Sequence, residues 1–322
     1  MITITDVANH CGVSISTVSR VLNGNPRISR ERTEQVLKAV KELGYTPIRK
    51  TRKTKRNDEI ILVMPNPSLY TLGTTIKDIT ITLQQVDYDI RIVNLHFERL
   101  ITKDIASDLC DKNAAGIIIY GCSVPLDAAK VFYERNVPTV VQQGHTSNLV
   151  SICVNNYSGM RDSLSYVLSR GYKRVGFVGW EKTDFNIQER VDSFKNMLTS
   201  ADLEPDMISL RRLNIEGGYD AMKEMMNTYE PEAVVFSADI MAYGGLKYLR
   251  EQGLRMKDDV GIIGFDDAYL SEVIGLTTMY QLLEENVNLV IENLMAMIEQ
   301  DTVFEAKEVQ LTPRLVVRNS LR

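Results

Sequence analysis

Thr5-Asp6-Val7-Ala8-Asn9-His10-Cys11-Gly12-Val13-Ser14-Ile15-Ser16-Thr17-Val18-Ser19-Arg20-Val21-Leu22-Asn23-Gly24 carries the signals of two short helices parted by a single glycine. Thr5 is a capping residue type ahead of a first helix over 6–11. Gly12 ends it, because a tight turn needs a residue free to take positive φ. Ser14 or Ser16 opens a second helix that runs to Leu22. Outward from there, Asn23-Gly24-Asn25-Pro26 is a loop by composition. Ser29 caps a third helix over 30–43, with Val36, Leu37, Val40 and Leu43 at helical spacing and Gly44 as its stop. Pro47-Ile48 and a run over 49–56, basic at six of eight positions, then form a linker.

Charge divides the chain at the same place. The first 57 residues hold twelve Lys or Arg and four acids, whereas the whole 322-residue chain has a net charge of -5. A head of +8 on a body of -13 points to nucleic acid at one end and repulsion from it elsewhere. The hydrophobic fraction of 44% and charged fraction of 25% are those of a soluble globular protein. No apolar run is long enough for a membrane span, and the N-terminus has no basic stretch followed by an apolar one. Cys11, Cys110, Cys122 and Cys153 are scattered without metal-ligand spacing, so they read as reduced thiols in a cytoplasmic protein. Neither a metal nor a cofactor is expected.

From Glu59 the pattern changes to short β-branched runs alternating with amphipathic stretches of about a dozen residues. The runs lie at 60–64, 90–95, 116–120, 139–141, 175–178, 233–236 and 260–265. The helical stretches include 74–86, 157–170, 185–201, 217–229 and 239–252. Such alternation predicts an α/β fold with parallel sheets covered by helices, and the continuous apolar runs at 60–64 and 116–120 suit strands buried on both faces. Seven or more strands suit two doubly wound subdomains better than one, with sites at the carboxyl ends of strands.

The head residues quoted above, continued through Arg32, Val36 and Leu43-Gly44-Tyr45-Thr46-Pro47, resemble the DNA-binding head of the lactose/galactose repressor (LacI/GalR) family. The resemblance implies a helix-turn-helix over 1–46, a basic hinge over 47–57 and an effector-binding, dimerising core over 58–322. That core is similar to periplasmic sugar-binding proteins, with subdomain 1 at about 58–153 and 282–306 and subdomain 2 at about 154–281 and 307–322. The physics of the second helix agrees, since short polar residues face outward while Val18, Val21 and Leu22 face in. The resemblance assigns Ile15, Ser16 and Arg20 to base contacts, Ile15 suiting a thymine methyl and Arg20 a guanine. Thr5, Ser14, Thr17, Ser19, Asn23, Arg27 and Arg32, with Arg49 and Arg52 of the hinge, fit phosphates or neighbouring bases. Where the family's hinge helix wedges a leucine into the minor groove, this chain has Thr54, with Thr51 three places earlier. A threonine supplies no such wedge.

Three stretches extend the resemblance through the core: Gly171-Tyr172-Lys173-Arg174-Val175-Gly176-Phe177-Val178-Gly179, Ala238-Asp239-Ile240-Met241-Ala242-Tyr243-Gly244, and Val260-Gly261-Ile262-Ile263-Gly264-Phe265-Asp266-Asp267 with Leu276-Thr277-Thr278. It places Arg190 and Asp266 on ligand oxygens, a guanidinium fork suiting paired hydroxyls. Asn155, where an aspartate is common, and Ser68 and Tyr70 after the first strand complete the expected effector set. Ala238 and Leu213 stand where many relatives carry an asparagine and a ring-stacking aromatic, and Asp239 reads as a helix cap.

The function implied is that of a transcriptional repressor of carbohydrate genes. It would bind a pseudo-palindromic double-stranded operator as a homodimer, answering to a sugar or sugar phosphate. The chain lacks the heptad tail that makes some relatives tetramers, so a dimer is expected. The alternative keeps the DNA-binding role and gives the core a protein partner or a non-sugar metabolite. An enzyme is not expected: the sequence has no GxGxxG, GxxxxGK[ST] or GxSxG, and its three histidines form no catalytic grouping. With about six to eight phosphates engaged by head and hinge, log K for operator binding falls with log salt at a slope of about -5 to -7. Filter binding across a salt series measures it, and a slope of about -2 would overturn the basic hinge as a phosphate contact.

Overall fold

Val7, Ala8, Cys11, Val18, Val21, Val36 and Ala39 close a small core of their own, flanked by Val13, Ile15, Ile28, Val40 and Leu43. They come from three helices, α1 (Ile4–Cys11), α2 (Ile15–Leu22) and α3 (Arg30–Glu42). The computed structural model describes residues 4–22, 28–43, 58–65, 70–96, 98–181, 185–201, 207–303 and 305–322. Gly12 has φ of 63°, as the turn after α1 requires. The opening of α2 is settled in favour of Ser14, whose Oγ accepts from the Thr17 amide at 3.2 Å. Ser29 Oγ accepts from the Arg32 amide at 3.4 Å and caps α3. Thr5 is not a cap: α1 already includes it, in its first turn.

The core begins with β1 (Glu59–Met64), α4 (Tyr70–Gln85), β2 (Asp89–Asn94), α5 (Lys103–Cys110), β3 (Gly116–Tyr120), α6 (Leu126–Glu134), β4 (Thr139–Gln142) and β5 (Val150–Val154). The chain then crosses to α7 (Asn156–Ser169), β6 (Val175–Trp180), α8 (Phe185–Ala201), β7 (Ile208–Arg211), α9 (Ile215–Thr228), β8 (Ala233–Phe236), α10 (Asp239–Glu251), β9 (Gly261–Ile263), α11 (Tyr269–Ile274) and β10 (Thr278–Tyr280). It returns with α12 (Leu283–Gln300) and β11 (Lys307–Leu311) and crosses once more to β12 (Arg314–Val316). The first sheet has the order β11-β5-β4-β3-β1-β2 and the second β7-β6-β8-β9, while β10 and β12 form a separate antiparallel pair. Every pairing within the two larger sheets is parallel. Two doubly wound subdomains are thus present.

Burial explains why the strands were readable where they were. β1 is buried from Ile60 to Met64 and β3 from Gly116 to Ile119, so each presents a continuous apolar run to helices on both faces. The first subdomain is built around these strands with α12 laid across β3, β4 and β5. The second has one apolar cluster on each face of its sheet, centred on Phe177, Phe194 and Phe265 and on Phe236, Met222 and Tyr248.

One expected boundary is corrected. Residues 307–311 belong to the first sheet, because β11 pairs in parallel with β5 from Lys307↔Val150 to Leu311↔Val154. The last crossing therefore lies between Leu311 and Arg314 rather than before 307. β11 is a mostly exposed edge strand, Lys307-Glu308-Val309-Gln310-Leu311, and gives no apolar run to read. All four cysteines are free, with Cys11, Cys122 and Cys153 buried. Among the described residues no helix is long and apolar enough to cross a membrane.

Candidate functional site

In both sheets the strand order reverses beside the first strand, between β1 and β3 and between β6 and β8. Doubly wound sheets leave a crevice at the carboxyl ends of strands at such points. The polar side chains that gather there make the candidate effector site.

Arg190, on α8, is 4% exposed. Its Nε donates to Asn156 Oδ1 at 2.8 Å, and its Nη1 donates to the Ser237 carbonyl at 2.7 Å and to Asp266 Oδ1 at 3.4 Å. The guanidinium lies 3.7 Å from the Phe265 ring centroid. Asp266 follows β9 with φ of 134°, a conformation side-chain-bearing residues rarely adopt, and its carboxylate also accepts from Gln281 Nε2. Gln281 Oε1 accepts in turn from Gln143 Nε2 at 3.3 Å, which links the two subdomains. Asn186 Nδ2 makes a second link, donating to the Gln143 carbonyl at 2.8 Å.

Burial pushes the Asp266 carboxyl up to about 7; the Arg190 charge opposes that rise and the neighbouring Asp239 adds to it. Asp239 is raised too, again by burial, against the hydrogen bonds that hold its anion. Those bonds come from Ser271 Oγ at 2.5 Å, Thr278 Oγ1 at 2.7 Å and the Ala268 amide at 2.9 Å. Asp239 therefore ties the loop after β9 and α11 to the start of α10 instead of capping its own helix. Tyr120, at the end of β3, is pushed up to about 12 by burial and hydrogen-bonds Thr75; the charges of Asp266, Arg99 and Arg190 reach it. Asp267 pairs with Arg318 at 2.7 Å behind the site.

The structure thus brings Arg190 and Asp266 together, and separates Asn155 from them. Asn155 Oδ1 accepts from the Ser158 amide at 2.8 Å as the cap of α7, and its Nδ2 donates to Gln310 at 3.1 Å. The next residue, Asn156, is the one on Arg190. A cap must turn its side chain back to its own helix, so the first residue inside the helix is left to face the cleft. Ser68 lies outside the described residues, as does the side chain of Tyr70. Leu213 is half-buried in the second subdomain's core. Asn156, Gln143, Gln281 and Tyr120 were missed, although the carboxyl-end rule applied to β3, β4 and β5 would have marked the first two and the last.

In the head, Ser14 and Arg32 are exposed and Thr17 is half-buried, its Oγ1 2.9 Å from Ser14 Oγ. Ile15 is half-buried against the head's own core, so only part of it remains for a groove. Thr5, Ser16, Ser19 and Arg20 lie on α1 and α2 with side chains outside the described residues, as do Asn23, Arg27, Arg49, Arg52, Thr51 and Thr54 entirely.

A small helical head on a hinged, two-subdomain core with a buried polar cleft defines a DNA-binding regulator of the ligand-responsive kind. Residues 3–47 match the model for bacterial regulatory proteins of the lacI family, and residues 164–321 match a periplasmic binding protein-like domain. The chain thus carries a lacI-family helix-turn-helix head joined to a periplasmic binding protein-like domain. It is 27% identical over 289 residues to the HTH-type transcriptional repressor CytR of Escherichia coli K12, covering 87% of this chain and 84% of the relative. Two solved structures share the fold at 23% identity. The Lac repressor dimer bound to operator and the anti-inducer ONPF has a TM-score of 0.72, with 100% of this chain and 99% of that chain covered. A complex of the transcriptional regulator CelR with cellobiose has a TM-score of 0.70, with 99% and 100% covered.

A carboxyl raised in the folded state binds a proton that the unfolded chain has already lost, so its contribution to stability falls as pH rises from about 4 to about 7. Asp266→Asn removes that loss while keeping an acceptor for Arg190 and Gln281. The melting temperature of D266N relative to the parent therefore climbs as pH is raised through this window in differential scanning fluorimetry. A difference independent of pH would show that Asp266 titrates normally.

Proposed function

We propose that this protein represses transcription by binding a pseudo-palindromic operator as a homodimer, with operator affinity set by a sugar or sugar phosphate in the cleft of the core. The observation that carries the effector reading is the buried Arg190–Asp266 pair with Asn156 at the strand ends. A fixed guanidinium beside a carboxylate and two amides offers paired donors and acceptors to vicinal hydroxyls, and the Phe265 face holds the guanidinium flat. The cellobiose bound by CelR and the repressor name carried by CytR support the same reading. Ligand and DNA compete or cooperate only through the difference in ligand affinity between the core's two states.

A second copy is seated, in this reading, on the exposed apolar face of α11. Tyr269 and Val273, four residues apart on that helix, are 79% and 73% exposed, with Val317 at 55% also facing outward. Apolar side chains this exposed on a short helix mark an interaction surface. Two heads held by one dimer reach two half-sites, which a single head cannot do.

Isothermal titration calorimetry of the full chain against cellobiose, ribose and a panel of sugar phosphates tests the effector. At least one binds below millimolar Kd, and Arg190→Gln weakens that ligand by about tenfold or more, or ~1.4 kcal/mol. Absence of binding by every sugar at millimolar concentration would favour the alternative, a protein partner or a non-sugar metabolite. Tyr269→Asp places a charge in the proposed dimer face. Sedimentation equilibrium then finds monomers at concentrations where the parent is dimeric, and operator affinity drops; an unchanged dimer would move the interface elsewhere.

A further inference from the structure

Arg99 and Trp180 meet across the cleft, one from each subdomain. The Arg99 guanidinium lies 4.9 Å from the centroid of the Trp180 ring, within the range of an attractive cation–π contact. Both residues are rigidly mounted. The backbone of Arg99 is zipped to the segment after β3, the Ser123 amide donating to the Arg99 carbonyl at 2.8 Å and the Ile101 amide to Ser123 at 2.9 Å. Its Nη1 donates to the Gly121 carbonyl at 3.2 Å. Trp180 is the last residue of β6, in register with Arg211 of β7, and the next amide, Glu181, donates to the Arg211 carbonyl at 3.0 Å. Arg99 lies in the connection between β2 and α5, held by its backbone bond to Ser123, and Trp180 ends a strand. With both backbones pinned, a movement of one subdomain against the other carries the two side chains apart.

The position gives the contact leverage. The crossings run from the β5 and β11 edge of the first sheet to the β9 side of the second, where Thr277, just before β10, bridges Ile263 of β9. β3 lies two strands from β5, and β6 two strands from β9. Two strand spacings are about 10 Å, so a rotation of about 15° about the crossings parts Arg99 from Trp180 by roughly 2.5 Å. That carries the pair beyond the ~6 Å at which a cation still feels the ring quadrupole. The amide links made by Gln143, after β4 and so one strand from β5, move roughly half as far.

We propose that Arg99 and Trp180 form a latch that holds the core closed and sets how readily the cleft opens to its ligand. The inference rests on the reading of the cleft as the effector site, and it adds a conformational control that the ligand-facing residues do not supply. The Arg99 charge also reaches Tyr120 inside the cleft, so the latch stands at the rim of the same polar site.

Trp180 is the single tryptophan of the chain, so tryptophan emission, excited selectively over the tyrosines, reports on this position alone. The full-length protein, free of DNA and sugar, is compared with Arg99→Ala and Arg99→Lys by acrylamide quenching and by small-angle X-ray scattering. The latch is expected to favour the closed core by about two- to thirtyfold. Arg99→Ala should raise the quenching constant by about twofold or more and enlarge the radius of gyration, with Arg99→Lys between the two because it keeps a cation. A rise in quenching with an unchanged radius of gyration would overturn the proposal, since it would mean that the arginine only covers the indole locally. Unchanged quenching would overturn it as well. Should Arg99→Ala fail to fold by circular dichroism, Trp180→Leu read by scattering alone carries the test, with the same enlargement expected and its absence decisive. No ligand enters these measurements, so their failure leaves the calorimetric test of the effector standing, and the converse holds.

Discussion

Arg190 brings a full positive charge into a place where almost none of its surface meets water. A cation is tolerated there only when fixed polar groups replace its hydration, and removing one partner of such a pair typically costs about 3–5 kcal/mol. The partners here come from three separate parts of the chain: Asn156 at the start of α7, the Ser237 carbonyl after β8 and Asp266 after β9. None is near another in sequence. Ser237 and Asp266 meet because the parallel strands β8 and β9 deliver their carboxyl ends to one edge of the second sheet, while Asn156 arrives from β5 of the first sheet at the crossing into α7. The second subdomain is therefore organised around a charge that is tied back to the first through Asn156 at the crossing after β5 and through Gln143 and Gln281.

That arrangement gives the core two kinds of connection. Near the crossings the links are neutral amides, and at the rim the link is a cation on an aromatic face. A given rotation displaces the amide links about half as far as the rim contact, because they lie one strand rather than two from the crossings. The head packs a small core of its own, and the net negative charge of the body opposes phosphate contacts outside the basic N-terminal residues.

How much of this was legible in the sequence depended on burial. β1, β3 and β8 showed themselves because both faces are covered and their residues are apolar throughout. β11 did not, because an edge strand is free to be charged, and its absence displaced a subdomain boundary. In the site, Arg190 and Asp266 were reachable only through resemblance to a family, as nothing in their local sequence sets them apart. Asn155 and Asn156 form a pair that sequence cannot divide: either could cap α7, and the loser faces the cleft. Ile15 shows the opposite limit, where a residue assigned to DNA also packs against the head's core.

The three crossings also fix the order in which the molecule becomes complete as it leaves the ribosome. The first subdomain lacks α12 and its edge strand β11 until residue 311 has been made, and the second lacks β12 until 316. Ser320 adds a last stitch, its Oγ accepting from the Thr277 amide at 2.8 Å and bonding the Ile262 carbonyl. Neither half of the core can close while the other is still a nascent chain, so the two fold as a single late event. The head, whose three helices lie within the first 42 residues, is finished long before. A helix-turn-helix head thus completes its own core during synthesis well ahead of the two sheets that follow it in the chain.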